Sequence, residues 1–109
     1  MTIRETAKIL GADILQDEFE DAELSSAYTS DLLSDVMAHA RDGGALITIQ
    51  AHKNTVAVAT LVNISAIVIC NSRPVTDDML EAARDEGIAV LQTAENQFTV
   101  SGRLYKLWH

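Results

Sequence analysis

Cysteine, proline and positive charge are all scarce in this chain, and each shortage excludes something. The 109 residues hold one cysteine, one proline and five glycines. The lone Cys70 cannot form an internal disulfide. With no signal peptide and no apolar run long enough to span a bilayer, the chain is expected in the reducing cytoplasm. Lysine and arginine number 8 against 16 aspartates and glutamates, for a net charge of −8. A nucleic-acid backbone or an anionic membrane as main partner is therefore not expected, since both require a basic face. Glycine is missing where several chemistries need it. No Gly-x-Ser-x-Gly elbow marks a nucleophilic serine, and no Gly-x-x-x-x-Gly-Lys-Ser/Thr loop marks a kinase or nucleotide hydrolase. His39, His52 and His109 share no ligand spacing and have no cysteine at short range, so neither a metal site nor a cofactor is expected.

What is present reads as one globular domain over residues 1–109, large enough to bury roughly two-thirds of its unfolded surface. Apolar residues make up 48% and charged residues 22%. The acidity is uneven: eight carboxylates and no lysine or arginine lie between Ile9 and Ala40. The cluster Asp17, Glu18, Glu20, Asp21 and Glu23 has no glycine for the sharp turn of a calcium loop, so it reads as solvated surface.

Thr2-Ile3-Arg4-Glu5 is a capping-box pattern opening a short helix that Gly11 stops. Asp13–Leu15 reads as a short strand, and residues 16–28 as an acidic loop with at most one extended piece. Thr29 or Ser30 is expected to cap a helix with Leu32, Leu33, Val36, Met37 and Ala40 on its buried stripe, ended by Gly43-Gly44. A unit then repeats about every 21 residues. Strands are expected at 45–50, 66–70 and 88–92, alternating with helices at 55–62, from Thr76 to Gly87, and from about Glu95 to Leu107. Apolar strands alternating with helices predict a three-layer α/β/α fold around a mainly parallel sheet of about four to five strands.

In such sheets ligands bind outside the carboxyl ends of the strands. That crevice would carry His52, Lys53 and Asn54 after one strand and Asn71, Ser72 and Arg73 after the next. Helix-start amides with Lys53 suit a phosphate or carboxylate, and the Arg73 fork matches the same groups. Asn54 is the expected N-cap. Cys70 reads as a small buried hydrophobe. Whether the two loops face one another depends on strand order, which the sequence leaves open. No catalytic residue is expected. The least favoured reading is an enzyme using His52 as acid/base.

Three of the five aromatic residues, Phe98, Tyr105 and Trp108, fall near the C-terminus. Together with Leu104 and Leu107 they cannot all face the sheet from one helical stripe, which predicts a homodimer contact there. The rival patch is the helix at 55–62, where Val56, Val58, Ala59 and Val62 spread around the axis.

The runs Ser30–Met37, Ile47–Asn54, Val56–Ala59 and Gly102–Tyr105 resemble small stand-alone DRTGG proteins. The chain is also similar to the DRTGG module of CBS-domain pyrophosphatases and to the N-terminal, non-kinase domain of HPr kinase/phosphorylase. The resemblance sets the name-giving Asp-Arg on His52-Lys53 and the Gly-Gly on Asn71-Ser72. It implies a non-enzymatic regulatory module, dimeric, binding a nucleotide or phosphorylated metabolite or a partner enzyme. A pure interaction scaffold is the alternative. An HPr serine kinase activity is not implied, because the kinase domain and its phosphate loop are absent.

Overall fold

Two strands are apolar or small at nearly every position and buried at all of them: β3 (Ala45–Thr48) and β4 (Ala66–Ile69). Strands buried on both faces must be covered by helices on both. The computed structural model, which describes residues 1–40 and 42–109, has that arrangement. In chain order the elements are α1 (Ile3–Leu10), β1 (Asp13–Gln16), β2 (Ala27–Thr29), α2 (Leu33–His39), β3, α3 (Lys53–Leu61), β4, α4 (Asp77–Glu86), β5 (Ala89–Gln92) and α5 (Gln97–Trp108). The sheet runs β1-β5-β4-β3-β2. β2 to β5 are parallel and β1 is antiparallel on the outer side of β5.

Alternation along the strands divides the core. Leu46, Ile67, Ile69 and Val90 point to one face, where Val36 of α2, Val56 and Ala59 of α3, and Met79 and Ala83 of α4 meet them. Ile47, Val68, Cys70 and Leu91 point to the other, against Ile3, Ala7 and Leu10 of α1 and Val100 and Leu104 of α5. The crossovers β2-α2-β3, β3-α3-β4 and β4-α4-β5 all place their helix on one face, as successive crossovers of one hand require. No helix among the described residues is long and apolar enough to cross a membrane.

Local caps form where the pattern predicts them. Thr2 and Glu5 make the reciprocal capping box, and Gly11 ends α1 in the left-handed conformation (φ +64°). Thr76 caps α4 and Gly87 (φ +68°) ends it. α2 differs from expectation. It spans seven residues, about two turns, starting at Leu33 after Leu32 with no side-chain cap and ending at Ala40, before the glycines. Ser30 instead accepts the Leu32 amide through its hydroxyl at 3.2 Å. Val36 is buried, and Leu33 and Ala40 are half-buried against the same core, while Leu32 and Met37 are 64% and 50% exposed, so three of the five predicted stripe residues pack inward and two do not. The reason is that Ala27–Thr29 joins the sheet as β2, which moves the helix start C-terminal and turns its face. The last helix begins at Gln97 with Asn96 as its cap, and of its apolar residues Leu104 is buried while Phe98 and Tyr105 are 87% and 69% exposed.

Candidate functional site

β3 and β4 are neighbours, so the loops that follow them leave the same edge of the sheet side by side. After β3 the chain turns at Gln50, whose carbonyl accepts the Thr55 hydroxyl at 2.7 Å. That bond fixes the entry of α3 two residues earlier than expected. His52, extended at φ −130°, is the N-cap, and Asn54 lies inside the first turn rather than capping it. The Thr55 amide returns to the His52 carbonyl at 2.9 Å, while the Lys53 and Asn54 amides have no protein acceptor among the described residues. These are the orphan donors every helix start leaves, at the positive end of the helix dipole.

α4 starts close by. His52, Lys53 and Asn54 share a shallow depression of about 320 Å³ with Thr76 and Asp78. The Thr76 hydroxyl donates to Asp78, and that bond, with the Met79 amide and the Lys53 charge, holds the Asp78 carboxyl below its usual range against the opposing effect of burial. The depression thus presents two helix starts and one cation, with one carboxylate at its rim.

The β4–α4 loop does a different job. Asn71 and Ser72 both take positive φ, +60° and +50°, and the Arg73 amide closes the turn on the Cys70 carbonyl at 3.2 Å. Two successive left-handed residues are what glycine provides without strain. The amides of Asn71 and Ser72 donate to the Glu95 and Thr93 carbonyls at 3.0 and 2.9 Å, and Gln92 Nε2 donates to the Arg73 carbonyl at 2.8 Å. The loop's backbone is therefore committed to β5 and its continuation. Asn71, Ser72 and Arg73 do not line the depression that holds the other three predicted residues. Since left-handed geometry costs an ordinary residue about 1–2 kcal/mol and glycine's extra chain entropy offsets about 0.5–1 kcal/mol, Ser72→Gly should raise stability by roughly 0.5–1 kcal/mol, read from denaturant midpoints.

Sequence reasoning missed Asp31. It follows β2 at the same edge and accepts the Thr48 hydroxyl at 2.8 Å and the Ile49 amide at 2.9 Å on Oδ1, and Gln97 Nε2 at 3.0 Å on Oδ2. Its own carbonyl accepts Gln50 Nε2 at 3.0 Å. Burial pushes this carboxyl up, but the Ile49 amide, Gln97, Thr48 and the Arg73 charge together hold it below its usual range. One of the eight carboxylates of the acidic stretch, Asp31 ties β2, β3 and α5 together. Its sequence signal was its place, just past the end of a charge-free stretch that turned out to be a strand. Cys70 is buried, and burial raises its thiol to about 11, which keeps it protonated and inert. Among the described residues no group of three His, Cys, Asp or Glu side chains could hold a metal ion.

Residues 5–107 match the DRTGG domain family. The chain belongs to the DRTGG domain family. A solved structure similar to this DRTGG domain is that of the CBS and DRTGG domains of the regulatory region of Clostridium perfringens pyrophosphatase, complexed with an activator, diadenosine tetraphosphate. The two share 14% identity at a TM-score of 0.76, which establishes a common fold. The match covers 94% of the DRTGG chain described here and 45% of the pyrophosphatase chain. No curated protein sequence matches this DRTGG domain.

Proposed function

We propose that this DRTGG domain is a non-enzymatic regulatory module, a homodimer that takes a small anionic ligand at the start of α3 and passes its binding state to a partner. The observation that carries this reading is the pair of unpaired amides at Lys53 and Asn54, set beside the Lys53 ammonium and His52 in a depression at the carboxyl edge of the sheet. An anion there gains from the amides, the helix dipole and one cation together. Lys53 and Arg73 lie within electrostatic reach of Asp78 and Asp31, so the edge offers less net positive charge than a chain of phosphates requires. It suits one phosphate or carboxylate group, as in a nucleoside monophosphate or a phosphorylated metabolite. The structural neighbour's activator, diadenosine tetraphosphate, supports a nucleotide-type ligand in general, although its four-phosphate chain is longer than the single anionic group this edge suits.

A thermal-shift screen with AMP, inorganic phosphate and sugar phosphates tests this. A ligand at a hundred times its Kd stabilises the native state by about 2.7 kcal/mol, so a true ligand should raise Tm by several degrees. Lys53→Ala should weaken that ligand at least tenfold while leaving the unliganded stability within about 0.5 kcal/mol of wild type, as for exposed side chains. A flat response to every anion would reject ligand binding and leave the scaffold reading.

A further inference from the structure

β2 is the last strand on its side of the sheet, and its outer rim is open. It bonds to β3 through the residues on either side of Ala27 and Thr29: the Ala45 amide donates to the Ser26 carbonyl at 3.0 Å and the Ser30 amide to the Ile47 carbonyl at 3.2 Å. Strand periodicity then directs the N–H and C=O groups of Ala27 and Thr29 outward, and both residues are exposed. Exposed strand edges usually carry lysine, proline or an inward charge that blocks pairing. None is present here. From Leu24 to Ser30 no residue is charged and none is proline, although the chain as a whole carries −8.

We infer that this rim pairs antiparallel with β2 of a second copy of the chain, joining two sheets into one across a two-fold axis at Tyr28. This rests on the dimeric reading above and assigns its interface. The hydrogen-bonding phase is self-complementary. The outward groups of Ala27 and Thr29 flank Tyr28 evenly, so Ala27 of each copy meets Thr29 of the other. The charge pattern selects the occupant. A foreign strand chosen by charge would need a charged rim, whereas two copies at −8 each need a rim without charge, and this one has it. Both faces beside the rim carry apolar surface for the second copy to cover. On one, α5 is tied to β2 by the 2.7 Å Thr29–Ser101 hydroxyl contact, and Tyr105 and Trp108 wall a 210 Å³ cavity against Ala27 and Thr29. On the other, α2 is tied to β2 by the Tyr28 hydroxyl donating to Asp35 at 2.6 Å, and it carries exposed Met37. The predicted C-terminal contact thus becomes the flank of a strand interface.

Light scattering of the full chain at high micromolar concentration should give twice the monomer mass. Hydrogen exchange of the wild type should show the Ala27 and Thr29 amides protected at high concentration and unprotected on dilution, with the Tyr28 amide, which faces β3, protected at both. Ala27→Pro removes only an outward N–H, and Thr29→Lys adds a charge to the rim. Each should weaken the dimer at least tenfold with an unchanged far-UV spectrum. A wild-type dimer whose Ala27 and Thr29 amides exchange equally at both concentrations, or one that survives both substitutions, overturns the strand interface and leaves dimerisation standing. A wild-type monomer overturns both.

Discussion

Asp31→Ala should destabilise the fold by about 2–4 kcal/mol, since hydrogen bonds to a charged group contribute about 1.5–3 kcal/mol each and the Thr48, Ile49 and Gln97 donors would lose their acceptor together. Asp31→Asn should cost roughly half as much, because its carbonyl still accepts from Thr48 and Ile49 and Gln97 can turn its own carbonyl to the new amide. The two variants also differ from wild type in pH response. A carboxyl held below its usual range in the folded state contributes stability that is complete above its unfolded pKa and lost as pH falls through the folded value. Urea titrations from pH 7 to pH 2 should therefore show the gap between wild type and Asp31→Asn narrowing on the acid side. A gap constant with pH would mean that the carboxylate charge is not what the three donors recognise.

Gly44→Val should be the second damaging change. A β-carbon at Gly44 would lie 2.8 Å from the Ser26 hydroxyl and 3.0 Å from the Ser26 carbonyl oxygen. The hydroxyl can rotate away; the carbonyl cannot, because it accepts the Ala45 amide at the start of the β2–β3 ladder. Overpacking of this kind costs about 1–3 kcal/mol, with the branched side chain near the upper end and Gly44→Ala near the lower. Calorimetry would rank the three proteins. If Val and wild type melt together, β2 yields more easily at Ser26 than this contact allows.

The sequence made legible those elements whose ends are settled by near neighbours. Thr2 with Glu5, Thr76 with Met79, and the left-handed stops at Gly11 and Gly87 each involve residues a few positions apart, and all appear in the structure. The α/β alternation was legible for the same reason, because a strand buried on both faces announces itself by composition. Where an end depends on a remote strand, local pattern failed. Thr29 looked like a cap because its pairing partner, Ile47, lies in a later strand. Asn54 is a different case: its residue type favours a cap, and the local Thr55–Gln50 bond, five positions apart, instead starts α3 at Lys53. The carboxyl-edge site was legible as two loops, but Asp31 was not, since its partners at Thr48, Ile49 and Gln97 meet it only once the strand order β4-β3-β2 is known.

The antiparallel β1 gives the sheet two unlike rims. On its side, pairing with β5 slips register between Ile14 and Gln16, and the strand opens with Asp13, a bulge and a charge that discourage any further strand. With one rim blunted and the other spent in a like-with-like contact, a pair of these chains would have no edge left from which to grow. An edge joined to its own copy closes on itself, whereas an edge joined to a different surface propagates. The same short strand that would be an aggregation risk in a sheet with two open sides would, in that pairing, be limited to a valence of one, so assembly by this route would end at two chains and not run on into a fibre.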